Sequence, residues 1–431
     1  MNSMYMINDS ASAEDLLNFK RYVSPIIEIL TNPKTETPFT IGIFGPWGSG
    51  KSTLIEYLDL ELGRSPYTEF FRIKFNPWLY REEKNLIIPL LHTLQDTLAR
   101  STTERIIESA KKIGTVLTRI GAGLFLKTIT ANQITLEELE KQEKAYLDKY
   151  QQAQSEIRTL RTQLQTVIDD LTNKGESDDY KAASRVVFFI DDLDRCEPDQ
   201  IIALLEAIKL FLDLKYCFFV LALDEEVIHH AIQIKYNKFE FLNTRQSKIG
   251  QQYLEKMIQL PLYLYPLSER DLEDYLNGLS LPEKAKAQVK LLSEILQPNP
   301  RKIKRIINLF ILNVAILQNN PVLHKTVTDM AALARLIVIQ VQDYDLYKKI
   351  LAYKEVPEYL SKVYRQEISL DDEPDWTKLG DRLKCVRDIC REYYQPGSWI
   401  ERIFKPENAL PEAAEIGQYF NMLGRGEGGQ A

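Results

Sequence analysis

The chain has 431 residues, of which 45% are hydrophobic and 27% are charged, and its formal net charge is −7. This length predicts two or three domains, and this composition excludes a wholly disordered chain. The net negative charge argues against broad, nonspecific coating of DNA, although a local basic groove would still allow nucleic acid to bind. Because four cysteines are too few for a disulfide framework in a chain of this size, we expect a reducing, cytoplasmic location.

Apolar runs and turn residues alternate along the first hundred residues in a way that predicts an α/β fold. A leading helix is expected over 10–30, where serines and acidic residues precede a periodic apolar face. Short β-prone apolar runs predict strands at 39–44 and 70–75. The next apolar segment predicts a helix over 85–98.

A glycine-rich motif directly follows the first predicted strand. The sequence GPWGSGKST fits the phosphate-loop pattern G-x-x-x-x-G-K-S/T, with a predicted strand before it and a predicted helix after it. Its lysine would supply positive charge for the β- and γ-phosphates, and the serine hydroxyl after it can bind Mg²⁺. We therefore expect the chain to bind ATP with Mg²⁺, although the sequence alone does not separate ATP from GTP. The expected nucleotide-binding residues are Gly45, Pro46, Trp47, Gly48, Ser49, Gly50, Lys51, Ser52 and Thr53.

The segment 104–180 interrupts the α/β alternation. Lysines and an arginine break up the apolar patches of 106–129, so no membrane-spanning helix is predicted there. This part would either lie as a basic amphipathic helix on a membrane surface or pack against its own domain or a partner. From Leu136 to Leu171, apolar residues recur three and four positions apart, with one charged break at Glu143. This heptad seam would pair with a protein partner or a second copy in a coiled coil, or fold back on the body as a helical arm.

A second chemical motif follows the apolar run at 185–190. Asp191 is expected to hold Mg²⁺, directly or through water, and Asp192 to orient and deprotonate the attacking water. A strand that ends in a solvated acidic turn is the alternative. Asp194 and Arg195 are expected to brace this turn as a local Asp–Arg pair, unless Arg195 reaches a neighbouring subunit.

The rest of the chain offers two more candidates for phosphate contact. A strand at 216–223 ends at Asp224, which either senses the γ-phosphate or caps the next helix. After a fifth strand at 257–263 the chain becomes helical, and Asn299 and Pro300 predict the start of a helix. Arg301 and Arg305 share a face of that helix and could close over the bound phosphates, or form a solvated or nucleic-acid-facing patch. A single helix is predicted over 331–350.

Taken together, these motifs resemble the KAP family of P-loop NTPases. The resemblance is carried by GPWGSGKST at 45–53, FNPWLY at 75–80, FFIDDLDRC at 188–196, FVLALDEEVI at 219–228 and NPRKIKRIIN at 299–308. It implies an ASCE-type core, in which another strand separates the phosphate-loop strand from the Asp191 strand. It also implies Mg²⁺-dependent ATP hydrolysis and kinship with signalling NTPases. In many members of the family the insertion carries transmembrane helices, and the charged insertion of this chain departs from that pattern. Some relatives act in bacterial defence against phage.

These observations predict a P-loop NTPase of ASCE type, with a parallel-sheet core, a long helical insertion and a C-terminal helical region. Its function would be that of a Mg²⁺-dependent ATPase acting as a nucleotide-driven switch or assembly motor. The alternative is a nucleotide-gated scaffold whose heptad arm recruits an effector, with slow or incidental hydrolysis. A small-molecule kinase is disfavoured because no separate acceptor site is visible. The expected parts are the core at 1–103 and 181–265, the insertion at 104–180, a lid-like subdomain at 266–350 and a C-terminal region at 351–431.

Overall fold

A computed structural model of the chain divides it into two units, each described here by itself. One unit is Asn18–Tyr265, and the other is Met1–Leu17 together with Pro266–Ala431. The finer partition at 103, 180 and 350 stays a prediction. The residues described are 6–8, 15, 17–65, 69–83, 86–101, 103–121, 158–172, 184–211, 214–236, 254–264, 267–279, 281–320, 327–371, 376, 381–406 and 410–422.

The first unit, Asn18–Tyr265, is built on a parallel five-stranded sheet. Its strand order is β2-β3-β4-β1-β5. Because β4 lies between β1 and β3, the strand order that the resemblance implied is confirmed, and with it the ASCE-type α/β core. The strands are β1 (Phe39–Phe44), β2 (Phe70–Phe75), β3 (Arg185–Ile190), β4 (Cys217–Leu223) and β5 (Leu260–Tyr263).

Burial along the strands explains their sequences. Every residue of β3 and β4 is buried, as expected of central parallel strands whose two faces are both covered by helices. By contrast β2, at the edge, leaves Lys74 exposed. The helices described in this unit are α1 (Lys20–Thr31), α2 (Lys51–Gly63), α3 (Ile87–Ala99), α4 (Glu104–Gly121), α5 (158–171), α6 (Pro198–Phe211) and α7 (Glu225–Tyr236).

The two described helices of the insertion pack against this unit. The apolar residues Ile106, Ile113 and Val116 of α4 are buried in its core, which supports packing of α4 against the chain's own domain. Residues 122–129 of the predicted amphipathic segment lie outside the described residues. On α5, the heptad positions Leu160, Leu164, Val167 and Leu171 are also buried in that core. This end of the seam therefore folds back on the body. The remainder of the seam, 136–157, lies outside the described residues, and its coiled coil stays a prediction.

The second unit is helical where it is described. One helix was predicted over 331–350, but two are found, because Asp343 ends the first and caps the second by accepting a hydrogen bond from the Leu346 amide at 2.9 Å. Across the described ranges of both units, we find no helix with the length and apolar character needed to cross a bilayer. The helices are α8 (Glu269–Gly278), α9 (Glu283–Lys286), α10 (Val289–Ile295), α11 (Pro300–Asn319), α12 (Met330–Gln342), α13 (Tyr344–Ala352), α14 (Val356–Tyr364), α15 (Asp381–Tyr393), α16 (Trp399–Phe404) and α17 (Ala413–Met422).

Candidate nucleotide site

The loop between β1 and α2 has a backbone that only glycine adopts easily at two positions. Gly48 has φ 83° and Gly50 has φ 100°, both in the left-handed region. At Gly45, an added Cβ would lie 2.6 Å from the Ser49 hydroxyl oxygen. A side chain at Gly48 or Gly50 would therefore strain the backbone, and one at Gly45 would require Ser49 to move. The helix α2 starts directly at Lys51.

Two polar features of this loop suit an anion. The Ser49 hydroxyl is buried, and no hydrogen-bond partner for it is found in the described part of the chain. The start of α2 has no side-chain cap either, so its first amide groups and its positive dipole end are open to an anionic ligand. An orphaned hydroxyl beside an uncapped helix start fits a phosphate group.

Lys51 is buried, and its ammonium is held by three oxygen atoms. Nζ donates hydrogen bonds to the carbonyl oxygens of Gly45 at 2.7 Å and Pro46 at 3.3 Å. It also lies 3.4 Å from Oδ2 of Asp194, and both side chains of this ion pair are almost fully enclosed. Asp194 was expected to pair with Arg195, so its contact with the phosphate loop is a correction to the sequence interpretation.

The carboxylate at the end of β3 lies beside the start of α2. The Ser52 side chain hydrogen-bonds the Asp191 carboxylate, and the Asp192 amide donates to Asp191 Oδ1 at 2.8 Å. Burial raises the pKa of Asp191, and these two hydrogen bonds oppose that effect. A hydroxyl and a carboxylate together are a suitable pair of ligands for Mg²⁺, which commonly takes one or two protein ligands and completes its shell with phosphates and water. Among the described residues, no cluster of three or more metal-binding side chains occurs.

Asp192 is oriented by two side chains, one on each carboxylate oxygen. Its φ of 59° turns the backbone into the left-handed region directly after β3. Asn76, which follows β2, donates from Nδ2 to Asp192 Oδ2 at 2.8 Å. Arg195 Nε lies 2.8 Å from Asp192 Oδ1. The local Asp–Arg pair of the prediction therefore exists, but its acid is Asp192.

The comparison with known families decides the class. Residues 19–317 match the model of the KAP family P-loop domain. The chain belongs to the KAP family. Because this match includes both the phosphate loop and the Asp191 strand, the prediction made from the motifs is confirmed, and nucleotide-dependent activity of a P-loop NTPase follows from it.

Two curated relatives, one archaeal and one bacterial, are similar in sequence to parts of this chain. An uncharacterised protein of Methanocaldococcus jannaschii is 26% identical, with a match that covers 34% of this chain and 86% of the relative. The phage T7 exclusion protein of Escherichia coli K12 is 21% identical, with a match that covers 58% of this chain. This KAP chain spans only 33% of the length of the E. coli protein, about one third of it.

Solved structures with some likeness to the KAP chain are more distant. The crystal structure of Cdc6p from Pyrobaculum aerophilum is 12% identical, covers 97% of this chain and 98% of its own, and has a TM-score of 0.42. The Drosophila ORC structure bound to DNA is 14% identical, covers 88% of this chain and 82% of its own, and has a TM-score of 0.30. At these scores the likeness adds nothing to the function of the KAP chain.

The two more distant site predictions for the KAP chain have different outcomes. Asp224 follows β4, and its Oδ1 accepts a hydrogen bond from the Glu226 amide at 3.2 Å, so its carboxylate caps α7. Any contact of Asp224 with a γ-phosphate stays a prediction. Arg301 lies in the first turn of α11, where Asn299 caps the helix as predicted by accepting from the Lys302 amide at 3.1 Å. Because Arg301 belongs to the other unit, its closure over phosphates also stays a prediction.

Sequence reasoning missed Asn76 as a residue of this site. It stood inside the FNPWLY tract that carried the family resemblance, but no role was assigned to it. The available signal was positional, since β2 and β3 pair in parallel and the residue after β2 must lie beside the residues after β3. A polar amide at that position would therefore have been a candidate partner for Asp191 or Asp192.

Proposed function

We propose that this chain is a Mg²⁺-dependent ATPase whose hydrolysis cycle acts as a nucleotide-driven switch or assembly motor. The observation that carries the proposal is the hydrogen bond between Ser52 and Asp191. It joins the start of the phosphate-loop helix to the end of the acidic strand, as a shared metal site requires. Membership in the KAP family supports nucleotide hydrolysis in general, and ATP as the substrate is part of the proposal.

Each residue near this contact has a distinct proposed role. Ser49 and the amides at the start of α2 would bind phosphate oxygens, and Lys51 would supply positive charge to the β- and γ-phosphates. Ser52 and Asp191 would hold Mg²⁺, which when bound would neutralise charge on the phosphates. Asp192 would orient the attacking water and accept its proton, while Asn76 donates a hydrogen bond to one of its carboxylate oxygens and Arg195 forms an ion pair with the other.

The test is release of inorganic phosphate by the purified chain with ATP or GTP, with and without Mg²⁺. We expect Mg²⁺-dependent phosphate release from ATP. Lys51→Ala should abolish nucleotide binding or turnover, because the cradle loses its cation. Asp192→Asn should bind ATP with near-normal affinity but lower turnover by about 100-fold or more, the usual contribution of a general base. Unchanged turnover in Asp192→Asn would show that Asp192 is not the base.

Exclusion of phage is the biological setting that we propose for this activity. It is supported by the similarity to the phage T7 exclusion protein, of which this chain spans 33%. Bacteria that express the chain should plate T7-like phage less efficiently than bacteria that express Lys51→Ala at the same level. Equal plating on the two strains would remove this setting and leave the ATPase proposal unaffected.

The described end of the heptad arm does not favour the scaffold alternative. Its effector would bind the heptad arm, but the described end of that arm has its apolar positions buried in the first unit. Recruitment of a partner or a second copy through 136–157 stays a prediction. Comparing turnover of the full chain before and after deletion of 136–157 would show whether hydrolysis depends on that segment.

A further inference from the structure

The guanidinium of Arg195 makes contacts that the proposed chemistry does not require. Its central carbon lies 5.5 Å from the ring of Trp47 and 5.5 Å from the ring of Trp78. Trp47 belongs to the phosphate loop and Trp78 to the 3₁₀ turn Pro77–Tyr80 that follows β2. One cation therefore contacts aromatic rings from two separate loops of the candidate nucleotide site. We call Trp47, Trp78 and Arg195 the Trp–Arg cluster.

Both tryptophans are unusually exposed for residues of their size. Trp47 exposes 59% of its surface and Trp78 exposes 39%, so neither is placed by burial in a core. A guanidinium within about 6 Å of an indole ring is attracted to it, and tryptophan is the most favourable ring for this contact. The contact with Arg195 thus contributes to holding both exposed rings in place.

The same guanidinium is the partner of Asp192. The pair spans one turn, because the 3₁₀ segment Leu193–Arg195 brings Nε of Arg195 back to Oδ1 of Asp192 at 2.8 Å. An ion pair that water can reach fixes geometry weakly, because two flexible side chains must be held in one arrangement. Here the rings of Trp47 and Trp78 restrict the guanidinium, and a restricted guanidinium in turn restricts the carboxylate.

Resting on the proposed function, we propose that Arg195 is a positioning residue for Asp192 and that Trp47 and Trp78 hold its guanidinium in place. Arg195 acts through the carboxylate and not on phosphate. Because Trp47 lies inside the phosphate loop, the cluster also links that loop to the base. Turnover should therefore depend on Arg195 and Trp78 through Asp192, while nucleotide affinity should depend on them little.

The test compares kcat and KM for ATP in variants of the full chain. Arg195→Ala should lower kcat by about 10- to 100-fold, the usual effect of a misplaced catalytic group, while KM changes by less than about threefold. Arg195→Lys should recover only part of this loss, because lysine keeps the charge but lacks the planar guanidinium. Trp78→Ala should lower kcat in the same direction by about three- to tenfold, with Trp78→Phe in between.

The decisive measurement is the double variant. If Trp78 acts through Arg195, Trp78→Ala should have no further effect on kcat once Arg195 is alanine. The matched control is Leu79→Ala, which removes a side chain that is 69% exposed from the same 3₁₀ turn and should leave kcat unchanged. Additive losses from Trp78→Ala and Arg195→Ala would overturn the proposal, and so would a wild-type kcat in Arg195→Ala.

A spectroscopic readout tests the cluster without turnover. With Trp47, Trp376 and Trp399 changed to Phe, Trp78 is the one fluorophore of its type left among the four tryptophans of the chain. Arg195→Ala should then increase quenching of Trp78 by acrylamide, since the ring loses a neighbour, and unchanged quenching would overturn the cluster. If the wild-type chain releases no phosphate from ATP, the proposed function itself fails. If it does and Arg195→Ala matches it, only the present inference fails.

Discussion

The buried ion pair between Lys51 and Asp194 allows a quantitative test of how the phosphate loop is held. Asp194→Asn removes the negative charge but keeps the shape of the side chain. At the observed separation of 3.4 Å, two unit charges attract by about 5 kcal/mol at an effective dielectric constant of about 20. Removing one member of a buried pair typically costs about 3–5 kcal/mol, because the other charge stays buried. Since two carbonyl oxygens still accept from Lys51, we expect the lower end, about 3 kcal/mol.

The assay is urea unfolding of the full chain, monitored by tryptophan fluorescence. With Trp376 and Trp399 changed to Phe in every variant, the remaining tryptophans report on the unit Asn18–Tyr265. The matched control is Glu61→Gln, which removes an exposed pair with Arg64 at the end of α2 and should cost less than about 0.5 kcal/mol. Equal slopes of free energy against urea in the compared variants would validate the difference.

Nucleotide provides the second half of this test. With saturating ADP and Mg²⁺, the stability deficit of Asp194→Asn should shrink, because a bound phosphate would offer Lys51 another anion, and a ligand that binds the folded state stabilises it. The reasoning would be refuted if Asp194→Asn unfolded at the same urea concentration as its parent without nucleotide. A deficit that stays the same with nucleotide would show that Lys51 does not contact the phosphates.

Two further changes test how the ends of β3 are anchored. Arg185 is buried, and its guanidinium donates hydrogen bonds to the carbonyl oxygens of Leu30 and Asn32, both at 2.9 Å. Because Arg185→Met loses these hydrogen bonds from a charged donor, it should destabilise the unit Asn18–Tyr265 by about 2–3 kcal/mol in the same urea assay. Burial raises the pKa of Asp191 above its usual value of about 3.9. Between these two values the folded state binds more protons than the unfolded state. The free energy of unfolding therefore falls as pH rises through that window. In EDTA, Asp191→Asn should therefore be more stable than wild type at pH 7, and this difference should vanish below about pH 4; a difference that is constant with pH would contradict the assignment.

The sequence was sufficient for those parts of the fold that depend on local patterns. The strands at 39–44, 70–75 and 185–190 were found as predicted, because continuous apolar runs bounded by turns have few alternatives in a buried parallel sheet. The prediction of a single helix over 331–350 was wrong, because the segment forms two helices that meet at Asp343. The apolar periodicity continues through Leu346 and Ile350, so it did not show this helix end. A capping residue inside a periodic segment was the signal against one continuous helix.

The candidate site could be predicted only in its motifs. The phosphate loop and Asp191 each have a sequence pattern, and the order of strands brings them together. By contrast, which carboxylate pairs with which cation is not written in any local pattern. Asp192 and Asp194 are two positions apart, yet one contacts Asn76 and Arg195 and the other contacts Lys51. That choice depends on the direction of the backbone after β3, which only the folded turn determines.

The left-handed backbone at Asp192 is the feature that separates these contacts, and it predicts that two common substitutions there will differ. Asparagine tolerates φ near 59°, whereas alanine is strained by about 1 kcal/mol in this region. Both Asp192→Asn and Asp192→Ala lack the base, but only alanine should disturb the turn that carries Asp194 to Lys51. Asp192→Ala should therefore be less stable than Asp192→Asn by about 1 kcal/mol in the same urea assay, because alanine carries the backbone strain and asparagine does not. Equal stability of the two variants would show that the left-handed backbone at Asp192 does not strain alanine.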